Sequence, residues 1–244
     1  MTAQRSSTAG TAEPHRSDLR ATFHRDVDRL EQDLQAMGDL ARTALEQATR
    51  ALTVDDQALC LAVVDADDEI DRRYLDIERR VVGLLARQAP VAAELRLLTA
   101  ILHVNLHLER VGDMAVNVAR LAHLAAGVPR KPPVVRHLEE MGQTAVWMVD
   151  LAMQTFGERD AVGCQRLPLI DDRVDELNRS MLTAVLASVE PFEHFEWGVH
   201  MYEAARQLER AADHAVDIAE QVWFLVTGEL QEFGGAARGP TPAP

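Results

Sequence analysis

Carboxylate side chains recur at helical spacing in two similar segments of the chain. Residues 108–120 read LERVGDMAVNVAR and residues 208–220 read LERAADHAVDIAE, an offset of 100 residues. Each segment has a Glu, an Asp four residues later, and an amide or a third acid four residues after that. Side chains four apart on an α-helix lie almost above one another. Each set therefore predicts a polar stripe along one helix face.

Oxygen atoms arranged in this way are ligands for hard cations. Like charges spaced four residues apart repel each other by a few tenths of a kcal/mol per pair, and a bound cation would offset that cost. Oxygen-only ligand sets suit Mg²⁺, Ca²⁺, Mn²⁺ or iron. The plain alternative is the solvated face of an amphipathic helix. Recurrence of the same residue types in both segments favours cation binding.

A pair of aspartates precedes each stripe, at an offset of 104 residues between the halves. Helical-wheel angles put these aspartates on the flank of the apolar stripe of their helix, whereas the Glu-containing stripes lie opposite the apolar residues. If neighbouring helices pack side by side, each half carries an oxygen cluster on its outer surface. The predicted metal ligands are Asp67, Asp71, Glu109, Asp113 and Asn117 in the first half, and Asp171, Asp175, Glu209, Asp213 and Asp217 in the second.

Histidines offer another kind of ligand. His103 and His107 are four residues apart and would suit zinc, but the sequence shows no third ligand beside them. We expect these two to be partly exposed histidines without a metal. His214 follows Asp213 and is a candidate accessory ligand of the second stripe.

Signatures of catalysis are absent from the sequence. No Glu is followed by His three residues later, the pattern that carboxylate-bridged di-iron bundles use. There is no GxxxxGK[ST] phosphate loop, nucleophile elbow or catalytic triad pattern. We therefore predict no catalytic residue and no enzyme, with a di-iron helical protein as the weaker alternative.

Composition excludes several partners. The net charge is −14, with 39 acidic and 25 basic residues, which argues against nucleic acid or a bare anionic lipid surface. No signal peptide and no run of about 18 uncharged apolar residues is present. Cys60 and Cys164 are expected to be reduced and buried, as in a cytoplasmic protein, with a disulfide as the alternative.

Apolar periodicity predicts helices throughout and no strands. Thr53 and Asp56 have the form of a capping box for the second helix, and Pro90 and Pro191 suit the first turns of later helices. Glycine- and proline-rich composition predicts disordered tails at 1–17 and 231–244 and a linker at 128–133. The predicted helices cover about 18–52, 53–88, 90–127, 134–156, 158–189 and 191–230, with a turn at Gly157.

The two halves align beyond the acidic stripes. Met37 and Gly38 match Met141 and Gly142, and the cysteines also correspond. The fold prediction is all-α, with two tandem three-helix bundles at 18–127 and 134–230, related by an internal pseudo-twofold repeat and joined end to end.

Four segments together carry a family resemblance, which covers about 20–230. They read FHRDVDRLEQDLQAMG at 23–38, DDEID at 67–71, APVAAELRLLTAILHVNLHLERVGDMAVNVA at 89–119, and LERAADHAVDIAEQVWFLVTG at 208–228. This combination resembles the PhoU family of phosphate-signalling regulators, and the doubled LERxxD motif is its most specific part.

The resemblance implies surface multinuclear metal sites built from the E/D-x-x-x-D pairs. Divalent or trivalent ions are expected there, with iron, manganese, magnesium and zinc all open. It also implies negative regulation of phosphate uptake through the Pst ABC transporter, and a link to a sensor histidine kinase. The protein is then expected to be cytoplasmic, peripheral to the inner membrane through these partners, and a homodimer. The alternative is a metal-independent helical adaptor that docks a basic partner.

Two residues depart from the family pattern. The second copy has Ala212 where glycine is usual, which predicts a looser helix approach than Gly112 allows. It also has Asp217 where asparagine is common. We therefore expect the two metal sites to differ in affinity or in the number of ions bound.

Overall fold

Residues 16–88, 90–189 and 194–233 are described by the computed structural model, and in these ranges the chain forms seven α-helices and no strand. The all-α prediction is confirmed. The helices are α1 (Arg16–Val54), α2 (Gln57–Gln88), α3 (Ala93–Leu124), α4 (Pro132–Glu158), α5 (Ala161–Cys164), α6 (Leu167–Leu186) and α7 (Phe195–Thr227).

The helices form two similar units that lie side by side. Helices α1, α2 and α3 pack on one another, as do α4, α6 and α7 with the short α5. The most extensive helix contact joins the units, between α3 and α7, and α1 also contacts α4. Their buried side chains form a single apolar cluster. The units are consecutive in the sequence, but the expectation that they are joined end to end is wrong.

The contact between α1 and α4 shows the pseudo-twofold relation. Gly38 of α1 lies against Met153 of α4, and Gly142, its equivalent, lies against Thr49 of α1, the equivalent of Met153. A methyl group at Gly142 would lie 2.2 Å from Cγ2 of Thr49, and one at Gly38 would lie 2.9 Å from Cγ of Met153. Both glycines therefore allow the two helix backbones to approach each other.

Two predicted helix starts are wrong in detail. Asp56 alone caps α2, since its carboxylate accepts a hydrogen bond from the backbone N–H of Leu59 at 3.0 Å. The Thr53 hydroxyl instead donates to the carbonyl of Arg50 within α1. Pro90 precedes α3, which begins at Ala93. Capping patterns depend on which residue leaves the helical conformation, and here that residue is Asp55, with a φ of 63°.

The second half also differs from its predicted boundaries. Gly157 lies inside α4, and the turn after this helix is made by Arg159, whose φ is 57°. The long second helix is divided into α5 and α6, and Asp160 caps α5 by accepting from two backbone N–H groups. The predicted helix start at Pro191 lies outside the described residues.

The predicted proline-rich linker is partly helical. Helix α3 ends at Leu124 and α4 begins at Pro132, because a proline in the first turn of a helix needs no N–H partner. The connecting residues 125–131 are held against the α1–α2 turn by Asp55. Its carboxylate lies 2.7 Å from the Arg130 guanidinium and accepts from the N–H of Gly127 at 3.3 Å.

Both predicted tails are shorter than expected where the structure describes them. Helix α1 starts at Arg16, and Phe233 folds back on α7, with its ring centroid 6.0 Å from that of Trp223 and its N–H donating to Glu220. Residues 1–15 and 234–244 lie outside the described part. Cys60 and Cys164 are buried and unpaired, as predicted. No helix in the described ranges is long and apolar enough to cross a membrane.

Replacing Gly142 by alanine is expected to destabilise the protein by about 1–3 kcal/mol, the usual cost of overpacking. The new methyl group would also lie 2.8 Å from Cβ of Thr49, so rotation of the threonine cannot relieve the clash. Gly38→Ala is the matched control, since the Met153 side chain it meets is flexible. Chemical denaturation of both variants measures the difference, and equal midpoints would contradict this account of the contact.

Candidate functional site

The first acidic groove is formed by Asp67 and Asp71 of α2 with Glu109 and Asp113 of α3. The two helices lie side by side, and Gly112 is the point of close approach. A methyl group at Gly112 would lie 3.3 Å from Oδ1 of Asp67. Because Gly112 has no side chain, the Asp67 carboxylate can lie close to the surface of α3.

Charge crowding and burial perturb the carboxyls of the first groove. Burial, together with the charges of Asp71 and Asp113, raises the pKa of Asp67 to about 6. Burial also raises the pKa of Glu109, again with a contribution from Asp113. The four side chains therefore lie close enough for their charges to influence one another. The helical-wheel angles allowed this proximity on the condition that α2 and α3 pack side by side.

The second acidic groove repeats this arrangement between α6 and α7, with Asp171, Asp175, Glu209 and Asp213. Burial raises the pKa of Asp171 to about 7, and the charges of Asp213, Asp175 and Glu209 act in the same direction. The pKa of Glu209 is raised by burial and by Asp213.

Both grooves lie outside the apolar core, although they are not fully solvated faces. The apolar residues predicted for α3, such as Val111 and Ala115, are completely buried. The Glu109 side chain is only 17% exposed, and that of Asp113 is 37% exposed. The expectation of an outward-facing stripe is therefore corrected to a half-buried groove, because α2 covers one side of the α3 carboxylates.

Arginines balance only part of the negative charge. In the first groove a guanidinium nitrogen of Arg110 lies 2.9 Å from Asp113, and its Nε lies 3.4 Å from Glu109. In the second, Arg179 lies 3.7 Å from Asp175. In the first groove the four carboxylates outnumber the arginine that pairs with two of them.

Each groove also contains a buried carboxylate oxygen that receives no hydrogen bond. These atoms are Oε2 of Glu109, which is ion-paired with Nε of Arg110 at 3.4 Å, and Oδ1 of Asp171. A buried acceptor without a hydrogen bond is costly unless a cation or a proton compensates it. Oxygen donors, crowded charge and incomplete hydrogen bonding together fit a hard cation.

The structure places two of the ten predicted ligands elsewhere. Asn117 donates from Nδ2 to Oε1 of Gln207 on α7 at 3.4 Å, and Asp217 faces His107 on α3. Both therefore lie at the α3–α7 contact and not in the grooves. A drift of about 40° per four residues accumulates to about 80° over eight, which turns the third position of each stripe onto the next helix face.

His107 is partly exposed, as expected, and it lies beside a histidine of the other unit. Its side chain is 17% exposed, and its ring centroid lies 5.4 Å from that of His214. Burial lowers the pKa of His107 to about 4, so the ring is neutral at neutral pH. His214, expected at the second groove, instead faces this ring. The sequence signal was one histidine in each half, His107 and His214, and it becomes informative only when α3 and α7 are known to be neighbours.

Comparison with known proteins identifies relatives over most of the chain. The PhoU domain family model matches residues 34–122 and 138–222. A phosphate-specific transport system accessory protein PhoU homolog of Synechocystis sp. is 31% identical over 212 residues, which is 87% of this chain and 94% of the relative. The PhoU homolog 1 of Mycobacterium tuberculosis is 32% identical, covering 87% of this chain and 96% of its own.

Solved structures show the same fold. The crystal structure of PhoU from Pseudomonas aeruginosa has a TM-score of 0.81 at 31% identity, covering 85% of this chain and 100% of that one. A phosphate transport system regulatory protein PhoU from Streptococcus pneumoniae has a TM-score of 0.77 at 23% identity, which speaks for the fold alone. The two-unit helical architecture is thus shared with these proteins.

Replacing Asp171 by asparagine is expected to stabilise the metal-free protein at about pH 8 and to stabilise it less at about pH 5. The pKa of Asp171 is about 7 in the folded state against an ordinary value of 3.8, so the folded state binds this proton more tightly. The resulting stabilisation is complete below the lower value and is lost as pH rises through the higher one. Asparagine keeps the shape without the charge.

Urea denaturation of the chelator-treated protein measures this effect. The midpoint of the wild type should fall more steeply between about pH 5 and about pH 8 than that of Asp171→Asn. The neighbouring Asp172 is exposed and serves as the control for loss of one acidic charge. Parallel pH profiles for the wild type and Asp171→Asn would show that this carboxyl does not retain its proton in the fold.

Proposed function

The chain belongs to the PhoU family, and from that premise we propose that it is a negative regulator of phosphate uptake and of phosphate-regulon signalling. Its curated relatives are named as accessory proteins of phosphate-specific transport systems, and a role related to phosphate transport extends to this chain. In this proposal the protein links a phosphate ABC transporter to a sensor histidine kinase at the inner face of the membrane, and it acts as a homodimer.

The observation that carries this role is the match of both halves to one family model, together with an acidic groove in each half. A regulator that contacts protein partners needs long, stable surfaces and no reaction centre. The described helices provide such surfaces, and the relatives are accessory proteins by name. A regulatory activity is therefore favoured over a catalytic one.

The two acidic grooves are proposed as cation sites for divalent or trivalent ions. Asp67, Asp71, Glu109 and Asp113 would hold the first, and Asp171, Asp175, Glu209 and Asp213 the second. A bound cation would supply positive charge to neutralise the carboxylates. Within the chain itself, the raised pKa values of Asp67 and Asp171 mean that a proton partly fills this role when no cation is bound. Cation binding would thus displace protons and fix α2 to α3 and α6 to α7.

The second candidate is a metal-independent adaptor whose acidic surface docks a basic face of a partner. The net charge of −14 favours it, since complementary charge steers association. A di-iron enzyme is disfavoured by the grooves themselves, which lie outside the apolar core and present carboxylates without a Glu-x-x-His pair.

The double variant Asp113→Asn, Asp213→Asn is expected to lose most of the metal held by the wild type. Each substitution removes one anionic ligand and leaves an amide of the same shape. Elemental analysis after equilibration with Mn²⁺ or Fe²⁺ and gel filtration measures the ions per chain. Asp28→Asn, an exposed carboxylate on α1, is the matched control. Unchanged metal content in the double variant would favour the adaptor.

Deletion of the gene in its host is expected to derepress phosphate uptake and regulon expression during growth in high phosphate. Uptake of labelled phosphate and a regulon reporter measure the effect. Normal repression in the deletion strain would contradict the regulatory role. Complementation with the Asp113→Asn, Asp213→Asn variant then separates the candidates, because the adaptor restores repression without metal, whereas a metal-dependent regulator does not.

A further inference from the structure

Three potential ligand atoms meet where α3 packs against α7. Nδ1 of His107 lies 3.3 Å from Nδ1 of His214 and 3.4 Å from Oδ2 of Asp217. Nδ1 of His214 lies 3.2 Å from the same oxygen. The three atoms therefore form a nearly equilateral triangle. None of them belongs to the two acidic grooves described above.

The size of this triangle matches a tetrahedral metal ion. Zinc binds imidazole nitrogen and carboxylate oxygen at about 2.0–2.1 Å, which separates neighbouring ligand atoms of a tetrahedron by about 3.3 Å. The three observed separations, 3.2, 3.3 and 3.4 Å, span that value. An ion centred above the triangle would reach all three atoms without movement of the helices.

Hydrogen bonding alone satisfies this arrangement poorly. A neutral imidazole has one N–H and one bare nitrogen, and an ionised carboxylate has acceptors only. If both Nδ1 atoms carry protons, two donors face each other at 3.3 Å. If only one carries a proton, the bare nitrogen of the other ring faces the carboxylate oxygen. At least one side of the triangle therefore joins two donors or two acceptors. A cation would accept a lone pair from each of the three atoms and so remove this mismatch.

The surroundings favour the metal-binding form of the ligands. The side chains of His107 and His214 are 17% and 20% exposed, and His107 is uncharged at neutral pH. The Asp217 side chain is 40% exposed, so an ion has a path from solvent and a place for a water ligand.

The internal repeat provides a version of this contact without ligands. At an offset of 100 residues, Gln207 corresponds to His107, Met114 to His214, and Asn117 to Asp217. Asn117 contacts Gln207 at 3.4 Å, the same separation as Asp217 from His107. The pseudo-twofold relation thus preserves the geometry, while the two histidines and the acid occur together on one side only.

We propose that His107, His214 and Asp217 form a third metal site, which binds one transition-metal ion of the zinc type across the contact between the two units. Two imidazoles and one carboxylate form a ligand set that suits Zn²⁺, whereas Mg²⁺ prefers oxygen ligands. The ion would tie α3 to α7 directly. Its occupancy would therefore stabilise the relative placement of the units, which the groove cations, each within one unit, do not.

The test compares the wild type with the double variant His107→Gln, His214→Met, which introduces the residues of the ligand-free counterpart. Full-length proteins are equilibrated with Zn²⁺ in excess Mg²⁺, passed through gel filtration and measured for zinc. The wild type should retain one zinc per chain more than the double variant. His137→Gln on α4 is the matched control and should retain as much zinc as the wild type.

Two further variants make the outcome specific. Asp217→Asn reproduces Asn117 and should weaken zinc binding by more than about 10-fold, the scale on which even outer contacts of metal ligands act. It should also reduce the zinc-dependent rise in melting temperature, which reports on folded protein directly. The Asp113→Asn, Asp213→Asn variant should keep the zinc, because its grooves are separate. If the grooves prove to bind no metal, zinc binding at His107, His214 and Asp217 is still expected.

Substitution of Co²⁺ provides a spectroscopic check. A four-coordinate site with nitrogen ligands absorbs visible light far more strongly than six-coordinate, oxygen-bound Co²⁺, and this absorption should be lost in the double histidine variant. Equal zinc retention by the wild type and the double variant would overturn the proposal. So would a wild type that retains no zinc, which would show that the three side chains form a hydrogen-bonded cluster only.

Discussion

The side-by-side packing of α3 against α7 is the constraint on which the other features depend. The contacts of His107 with His214 and of Asn117 with Gln207 show that the two helices run antiparallel. Each helix is also covered by the other helices of its own unit, so it buries side chains around much of its circumference. The half-buried polar residues described above therefore lie in the spaces between neighbouring helices. Those spaces are the two grooves and the edges of the central contact.

Crowded carboxylates in the grooves oppose folding unless something compensates their charge. Burial and neighbouring negative charge raise the pKa of Asp67 and Asp171, so the fold holds these groups less favourably when they are charged. Gly112 brings the Asp67 carboxylate against α3 and so increases the crowding. The crowded carboxylates of the two grooves are unfavourable for stability. Such locally unfavourable groups are expected at functional sites.

The internal repeat explains both the symmetry of the scaffold and its exceptions. The glycines at 38 and 142 occupy equivalent places in the α1–α4 contact, and the grooves use the same residue types at equivalent positions. The central contact has diverged, because His107 and Asp217 on one side correspond to the amide pair Gln207 and Asn117 on the other. The proposed ion would join the halves at this asymmetric contact.

The sequence by itself determined the helical class, the approximate extent of most helices and the four members of each groove. Helical periodicity fixes the direction of each side chain about its own axis, and Asp67 and Glu109 needed only adjacent helices to meet. Only the tertiary structure placed Asn117 and Asp217 at the α3–α7 contact and brought His107 to His214. Those contacts depend on which face of α3 packs against α7, a helix about 100 residues away. The packing of the apolar surfaces of the two units decides that face.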